Sequence, residues 1–218
     1  MNHGTYEYFL NGKPTGVSEN FNITHLSDGA KKTTAVRDAS PFGTKIFVET
    51  IERADKFERF EIRFQNQFDV QAVYEFFDRK FRYTRTLDGE KTDDETLEMP
   101  ENSIVFPLMR CFQGQAILRV AEASKKFLTV LVPSIENPND AENLLKPTFD
   151  ERTAKNLGKE NIAFYQANSI ASEANVYQYF SKHYDENSRF WIDDDGLLIA
   201  YRFVQSPAKI WEVFLTEK

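Results

Sequence analysis

Residues 104–123, IVFPLMRCFQGQAILRVAEA, constrain the fold of this chain more than any other segment. At about 100° per residue, one stripe of apolar side chains runs along a helix of this sequence. The stripe consists of Val105, Met109, Phe112, Ala116, Val120 and Ala123. Leu108, Cys111 and Leu118 form a second apolar strip, and Pro107 suits a first helical turn because its missing N–H costs nothing there. The pattern therefore predicts a helix over 104–123 that needs cover on two sides.

Polar residues in this segment indicate whether the helix lies in a membrane or in a globular domain. The interruptions are Arg110, Gln113, Gln115, Arg119 and Glu122. Charged side chains are costly inside a bilayer, so a segment interrupted this often is not expected to span a membrane. It is predicted to be the core helix of a globular domain.

The rest of the chain alternates short strands with tight turns. Asn11-Gly12 is a strong hairpin signal because both central residues of such a turn need positive φ. Asp28-Gly29, Asp88-Gly89 and Asp195-Gly196 are further turn sequences. The predicted strands lie at 5–10, 17–24, 31–38, 44–52, 56–65, 70–78, 80–86, 127–132, 162–168, 176–183, 188–192, 197–204 and 210–216.

Two segments are less regular. Residues 135–157 are polar and contain Pro138 and Pro147, which predicts a loop with one or two weak edge strands. The acidic run 93–95 is predicted to be a solvated edge or loop.

Short connections determine the expected topology. Sequential strands joined by tight turns pair antiparallel, and a sheet of about a dozen strands coils. No repeat and no Gly/Ser/Pro-rich linker divides the chain. We therefore predict a mainly β fold in which one domain, 1–218, forms a long antiparallel meander. This meander is a half-barrel wrapped around one central α-helix at about 104–123.

Composition excludes several function classes. A formal net charge of −7 argues against nucleic-acid binding, which needs a basic face. His3, His25 and His183 lack the spacing of metal ligands. Residues 193–196 are better explained as a hairpin turn than as a calcium-binding loop. No nucleophile elbow, phosphate loop or dinucleotide fingerprint occurs. No catalytic residue, metal or cofactor is predicted.

The N-terminus bears on the compartment. Residues 1–4 form neither a basic nor an apolar segment, so no secretory signal is visible. The expectation is a cytoplasmic protein, or a periplasmic one if a leader has been removed.

Both ends of the chain resemble a family of uncharacterised bacterial proteins. The N-terminal likeness rests on Gly4-x-Tyr6-x-Tyr8, Asn11-Gly12, Gly16 and the 40–43 bend, Ser-Pro-Phe-Gly. The C-terminal likeness rests on the 189–193 strand, Arg-Phe-Trp-Ile-Asp, and its Asp195-Gly196 turn. The architecture is similar to that of bacterial lipoprotein carriers and glycolipid-binding half-barrel proteins. This resemblance implies a lipid or another apolar small molecule as the partner.

The candidate ligand-binding residues are aromatic side chains, together with two arginines that could bind a polar group of the ligand. The aromatic candidates are Phe42, Phe47, Phe60, Phe112, Trp191 and Tyr201, and each of them can equally be a core residue. Arg110, on an enclosed helix, must reach solvent, a carboxylate or a bound anionic headgroup. The same reasoning applies to Arg189.

The leading functional hypothesis is non-enzymatic binding or carriage of a lipid or other amphipathic ligand between sheet and helix. Burying each CH2 group contributes about 0.8 kcal/mol, so binding requires only a cavity. The first alternative is an enzyme whose polar residues meet only in the folded chain. The second is a structural or partner-binding domain that has no ligand.

Overall fold

The computed structural model describes residues 3–123, 127–162 and 173–217. Within these ranges the chain forms fifteen strands, one 3-10 turn at Ser40–Phe42 and one α-helix, α1, at Arg110–Glu122. The strands are β1 His3–Leu10, β2 Lys13–His25, β3 Lys31–Ala39, β4 Thr44–Arg53, β5 Lys56–Gln65, β6 Asp69–Phe77, β7 Lys80–Leu87, β8 Glu90–Glu98, β9 Ile104–Val105, β10 Leu128–Pro133, β11 Pro147–Asn161, β12 Glu173–Phe180, β13 Ser188–Ile192, β14 Leu198–Ser206 and β15 Lys209–Glu217.

All fifteen strands belong to one open sheet. Their order is β8-β7-β6-β5-β4-β3-β2-β1-β15-β14-β13-β12-β11-β10-β9. The first strand, β1, therefore pairs with the last, β15, in the middle of the sheet. Neighbouring strands pair antiparallel except β9 and β10, which are parallel. The predicted mainly β half-barrel with a single helix is confirmed. Among the described residues, no helix combines the length and the hydropathy that crossing a membrane requires.

Local turn chemistry explains the hairpins. Asn11 and Gly12 have φ values of 53° and 71°, and Asp88 and Gly89 have values of 51° and 87°. Positive φ at both central residues matches the right-handed twist of the flanking strands. The hairpin predicted at Asn11-Gly12 and the turn predicted at Asp88-Gly89 are confirmed, and the second turn also joins two paired strands.

Buried and exposed side chains alternate along the strands, and the buried ones form the core. On β5, Phe60, Ile62 and Phe64 are buried, and the charged residues between them face away from the core. The Phe60 ring stacks on Tyr74 of β6, with ring centroids 4.3 Å apart. The two residues are thus fixed as part of a continuous core that also includes Ile117 of α1.

The helix begins later than predicted. Ile104 and Val105 pair with β10, and the Phe106 N–H continues that contact by donating to the Leu131 carbonyl at 2.9 Å. A residue before proline is disfavoured in the α region, and after Pro107 the backbone of Leu108 has a φ of 64° and that of Met109 is extended, so the helix cannot begin before Arg110. The prediction of helix over 104–109 is therefore wrong, and only 110–122 is α-helical.

The prediction for residues 135–157 is also wrong in part. β11 is the longest strand of the described chain and lies inside the sheet between β10 and β12, not at an edge. The loop before it packs against the core side of β6 and β7. Tyr74 donates its hydroxyl to the Leu145 carbonyl at 2.5 Å, and Arg85 Nε donates to the Leu144 carbonyl at 2.8 Å. Both leucines are buried, so this loop fills the half-barrel alongside the helix.

The remaining predictions concern residues 93–95 and the strand expected at 162–168. The acidic run 93–95 lies in edge strand β8, where Asp94 accepts from Arg82 at 2.9 Å. Of the strand predicted at 162–168, Ile162 is buried and outside any strand, and 163–168 lie outside the described residues.

Candidate ligand-binding site

The site is organised around Glu19, which is fully buried on the inner face of β2. Tyr8 donates to its Oε2 atom at 2.9 Å, and Arg37 donates to the same oxygen through Nε at 2.9 Å and Nη2 at 2.7 Å. The backbone N–H of Arg110 donates to the other oxygen, Oε1, at 2.5 Å. A carboxylate satisfies a free N–H at a helix start and interacts favourably with the helix dipole. Glu19 therefore both pairs with Arg37 and caps α1.

Arg110 lies beside this pair without a carboxylate of its own. Its guanidinium lies over the Tyr201 ring at 4.9 Å and near the Tyr8 ring at 5.8 Å, and Nη1 donates to Gln113 Oε1. Its Nε atom is buried without a hydrogen-bond partner in the described chain. Cation–π contacts stabilise a guanidinium but do not neutralise it. Among the described residues, Arg110 is thus a partly buried cation that forms no ion pair with a carboxylate, and its ionisable partners are tyrosines.

Tyr184 completes the cluster from the loop between β12 and β13. Its ring packs edge-to-face on Tyr201 and Phe190, with centroids 5.7 and 5.4 Å away. Burial raises the pKa of Tyr184, but Arg110 and hydrogen bonds from Arg110 and Tyr201 outweigh burial and bring it below the ordinary value of 10.0. The pKa of Tyr201 is raised, first by burial and then by Tyr184. The Tyr184–Tyr201 pair therefore loses its first proton unusually early.

Two clefts meet at Arg110. The larger, here called the anion cleft, has a volume of about 580 Å³, and the smaller, here called the aromatic cleft, about 340 Å³. Both are lined by Arg110, His183 and Tyr184. The apolar lining of the anion cleft comprises Phe106, Leu108, Val132, Pro133, Ile135 and Phe149. Tyr8, Tyr201, Phe203, Trp211 and Val213 line the aromatic cleft. Apolar walls around a few placed polar groups are typical of small-molecule sites.

The anion cleft is positively charged although the whole chain carries −7. Its cationic lining is Arg37, Arg110, Arg152 and Lys182, against Glu136 and Asp150. Three of these cations have a carboxylate: Arg37 has Glu19 at 2.7 Å, Arg152 has Asp150 at 2.9 Å, and Lys182 has Glu136. Arg110 alone among them lacks one within the described chain, so the uncompensated charge is concentrated where the two clefts meet.

The structure brings only some of the predicted site residues together. Arg110 and Tyr201 are in contact at the junction of the clefts. Phe112 lines a different cleft, where its ring is 5.8 Å from that of Phe57. Phe60 is buried in the core away from both clefts, and its stacking on Tyr74 identifies it as a packing residue.

The other four predicted residues lie elsewhere. Phe42 is 62% exposed near the β1–β2 hairpin, and Phe47 is on the face of β4 opposite the buried Ile46 and Val48. Arg189 donates to the backbone carbonyls of Glu186 and Ser188 and lines neither cleft. Trp191 is buried opposite Val176 and Ala200 in the sheet register. None of these four residues lines the anion cleft or the aromatic cleft.

Sequence reasoning missed Glu19 and Tyr184. The signal for Glu19 was present, because a charged residue in phase with buried Val17 and Phe21 on β2 must have a partner. Tyr184 lies in a loop without periodicity, and only the folded chain places it against α1.

The tyrosine cluster gives a spectroscopic prediction. In an absorbance titration of phenolate, the first tyrosine to ionise is expected to disappear in Tyr184→Phe, because Arg110 stabilises its anion. Tyr177→Phe is the matched control, since burial raises the pKa of that residue. Because the folded pKa of Tyr184 is the lower one, its stabilising contribution is full above the unfolded pKa of about 10 and is lost as pH falls through the folded pKa. An unchanged early phase in Tyr184→Phe would contradict this assignment.

Comparisons with known proteins identify a solved structure with a similar fold and no family or curated relative. No protein-family model matches the chain, and no curated protein matches it. One matching solved structure is a crystal structure of a β-barrel-like protein of domain of unknown function DUF1849 from Brucella abortus. The two share 12% sequence identity with a TM-score of 0.58, over 98% of this chain and 94% of the other.

At this identity the likeness shows the fold alone. It supports the bacterial β-barrel-like architecture that the sequence resemblance implied. It gives no support to the lipoprotein-carrier or glycolipid-binding part of that resemblance. The chain thus has the β-barrel-like fold of the Brucella protein, and its function must be argued from the Arg110 site.

Proposed function

We propose that this protein binds, without catalysis, an amphipathic ligand whose anionic group pairs with Arg110. The observation that carries the proposal is a partly buried guanidinium, lacking a carboxylate, at the junction of two apolar clefts. Burying a charge without a partner is costly, so a ligand anion that supplies the partner gains a strong, charge-assisted interaction.

Neighbouring residues prepare Arg110 for such a ligand. Glu19 is already neutralised by Arg37 and bound to the backbone of Arg110, so it does not compete for the Arg110 guanidinium. The Arg110 guanidinium is in cation–π contact with both the Tyr8 and the Tyr201 ring, which position it. A positioned cation loses little conformational freedom on binding, which favours affinity.

The apolar walls of the anion cleft suit the rest of the ligand. Phe106, Leu108 and Ile135 border the path away from Arg110. Each CH2 group buried there contributes about 0.8 kcal/mol. A cavity of about 580 Å³ lies within the usual range for small-molecule sites. A medium-chain fatty acid has the required combination of one anion and one short aliphatic tail.

Calorimetric titration with sodium octanoate tests the proposal. Removing one charge-assisted contact costs about 1.5–3 kcal/mol, so Arg110→Gln is expected to weaken octanoate binding about 10- to 100-fold. Octylammonium, with the opposite charge on the same chain, is not expected to bind at this site.

The matched control is Arg189→Gln. Arg189 is also a half-buried arginine beside aromatic residues, but it lines neither cleft. This variant is expected to bind octanoate like the unmodified protein. Absence of octanoate binding, or equal binding by Arg110→Gln, would overturn the proposal.

A further inference from the structure

A third cleft, here called the helix cleft, lies between α1 and the inner faces of β3 and β4. It has a volume of about 420 Å³ and shares no lining residue with the anion cleft or the aromatic cleft. Phe57, Cys111 and Phe112 form part of its wall, and Lys31, Thr33 and Glu52 form a polar floor.

The floor contains one buried carboxylate oxygen that has no hydrogen-bond partner in the described chain. Glu52 Oε2 pairs with Lys31 at 2.9 Å, but Oε1 is buried and accepts no hydrogen bond in the described chain. The side chain of Glu52 is only 9% exposed. A buried oxygen atom normally accepts a hydrogen bond, so Glu52 Oε1 is positioned to accept one from a group in the cleft.

The charges define the chemistry of that donor. Lys31 already pairs with Glu52, and the other charged groups of the lining are Arg119, Asp55 and Glu122, so the cleft carries two cations and three carboxylates. A cationic group at Glu52 Oε1 would lie beside the Lys31 ammonium, and an anionic group would meet the Glu52 carboxylate. An uncharged hydroxyl can donate to Glu52 Oε1 at no such electrostatic cost. The Phe57 and Phe112 rings, 5.8 Å apart, offer an apolar surface to the attached carbon chain.

We propose that the helix cleft is a second binding site, which takes an uncharged aliphatic alcohol and binds its hydroxyl through Glu52 Oε1. The proposal does not depend on Arg110. A ligand for this site needs one hydroxyl and a short alkyl chain.

Cys111 provides a direct readout of occupancy. It is the single cysteine of the chain and lines the same cleft. Its rate of alkylation by a maleimide therefore reports whether the cleft is filled. At 1-hexanol concentrations ten times Kd, only about one molecule in eleven is free, so alkylation is expected to slow about tenfold.

The matched probe is 1-methoxypentane, an isomer of 1-hexanol that lacks a hydrogen-bond donor. It is expected to protect Cys111 far less in the unmodified protein, and this comparison needs no variant. Among variants, Glu52→Met is expected to abolish protection by 1-hexanol. Glu49→Met, on the outer face of the same strand, and Arg110→Gln are expected to preserve it.

The outcomes separate the possibilities. Protection by 1-hexanol, but not by the ether, supports the proposal. Equal protection by both compounds would mean that the cleft accepts alkyl chains without using Glu52, and would overturn it. No protection by 1-hexanol would mean that water satisfies Glu52 Oε1, and would also overturn it. Because octanoate binding is measured separately, failure here leaves the Arg110 site unaffected.

Discussion

Replacing Gly114 with alanine is expected to destabilise the protein by about 3 kcal/mol, which is the upper end of the usual cost of overpacking a core. Gly114 lies inside α1 at its contact with the start of β14. A Cβ atom there would clash with the backbone oxygen of Gly196 and lie 2.8 Å from the backbone nitrogen of Leu198. Both neighbours are main-chain atoms, so the helix must move away from the sheet. Urea unfolding of Gly114→Ala measures the loss.

The sign of this effect makes the experiment decisive. In a helix interior, alanine is normally more stable than glycine by about 1 kcal/mol. Ala121→Gly, at a half-buried position of the same helix, is the control and is expected to lose about that amount. A Gly114→Ala variant as stable as the unmodified protein would show that α1 does not approach the β13–β14 turn this closely.

Replacing Glu19 with glutamine is expected to cost about 3–5 kcal/mol, because breaking a buried ion pair leaves an uncompensated charge. Arg37 would keep its positive charge beside Arg110 with no carboxylate between them. Four hydrogen bonds, from Tyr8, Arg37 and the Arg110 N–H, would lose their charged acceptor. Urea unfolding is the measurement here as well.

Glu49→Gln is the matched control for Glu19→Gln. Glu49 pairs with Lys32 at 2.8 Å, but both side chains are more than a third exposed. Exposed pairs contribute about 1 kcal/mol or less, so the control is expected to lose far less stability. Similar losses in both variants would contradict the role of Glu19 as a buried organising group.

Local rules predicted the elements where side-chain pattern and backbone chemistry agreed. Asn11-Gly12 and the alternation of Phe60, Ile62 and Phe64 required no tertiary information. β11 was missed because its side chains are polar on both faces, so that only strand pairing with β10 and β12 reveals it. α1 begins later than its side-chain pattern predicts, because Leu108 has a positive φ of 64° and Met109 is extended, and side-chain periodicity does not report either.

The site was less predictable than the fold. Arg110 was identified because a charge on an enclosed helix must have a partner, whereas its aromatic neighbours come from strands and a loop far away in sequence. Phe47 was predicted as a site residue from its aromatic side chain alone, and the structure places it on the other face of β4. It lies between Ile46 and Val48, so both faces of β4 look apolar there, and aromatic character alone does not tell which face is buried.

We propose that Arg110 is a ligand-binding cation and not a structural one. Unfolding of the unmodified protein and of Arg110→Met, each with and without octanoate, tests it most directly. Without ligand, Arg110→Met is expected to be within about 1 kcal/mol of the unmodified protein or more stable, because methionine removes the charge and fills similar space. At octanoate concentrations of 100 times the Kd of the unmodified protein, that protein is expected to gain about 2.7 kcal/mol, and Arg110→Met, with binding weakened 10- to 100-fold, about 0.4–1.4 kcal/mol. A loss of several kcal/mol in ligand-free Arg110→Met, with an undiminished gain from octanoate, would contradict the claim.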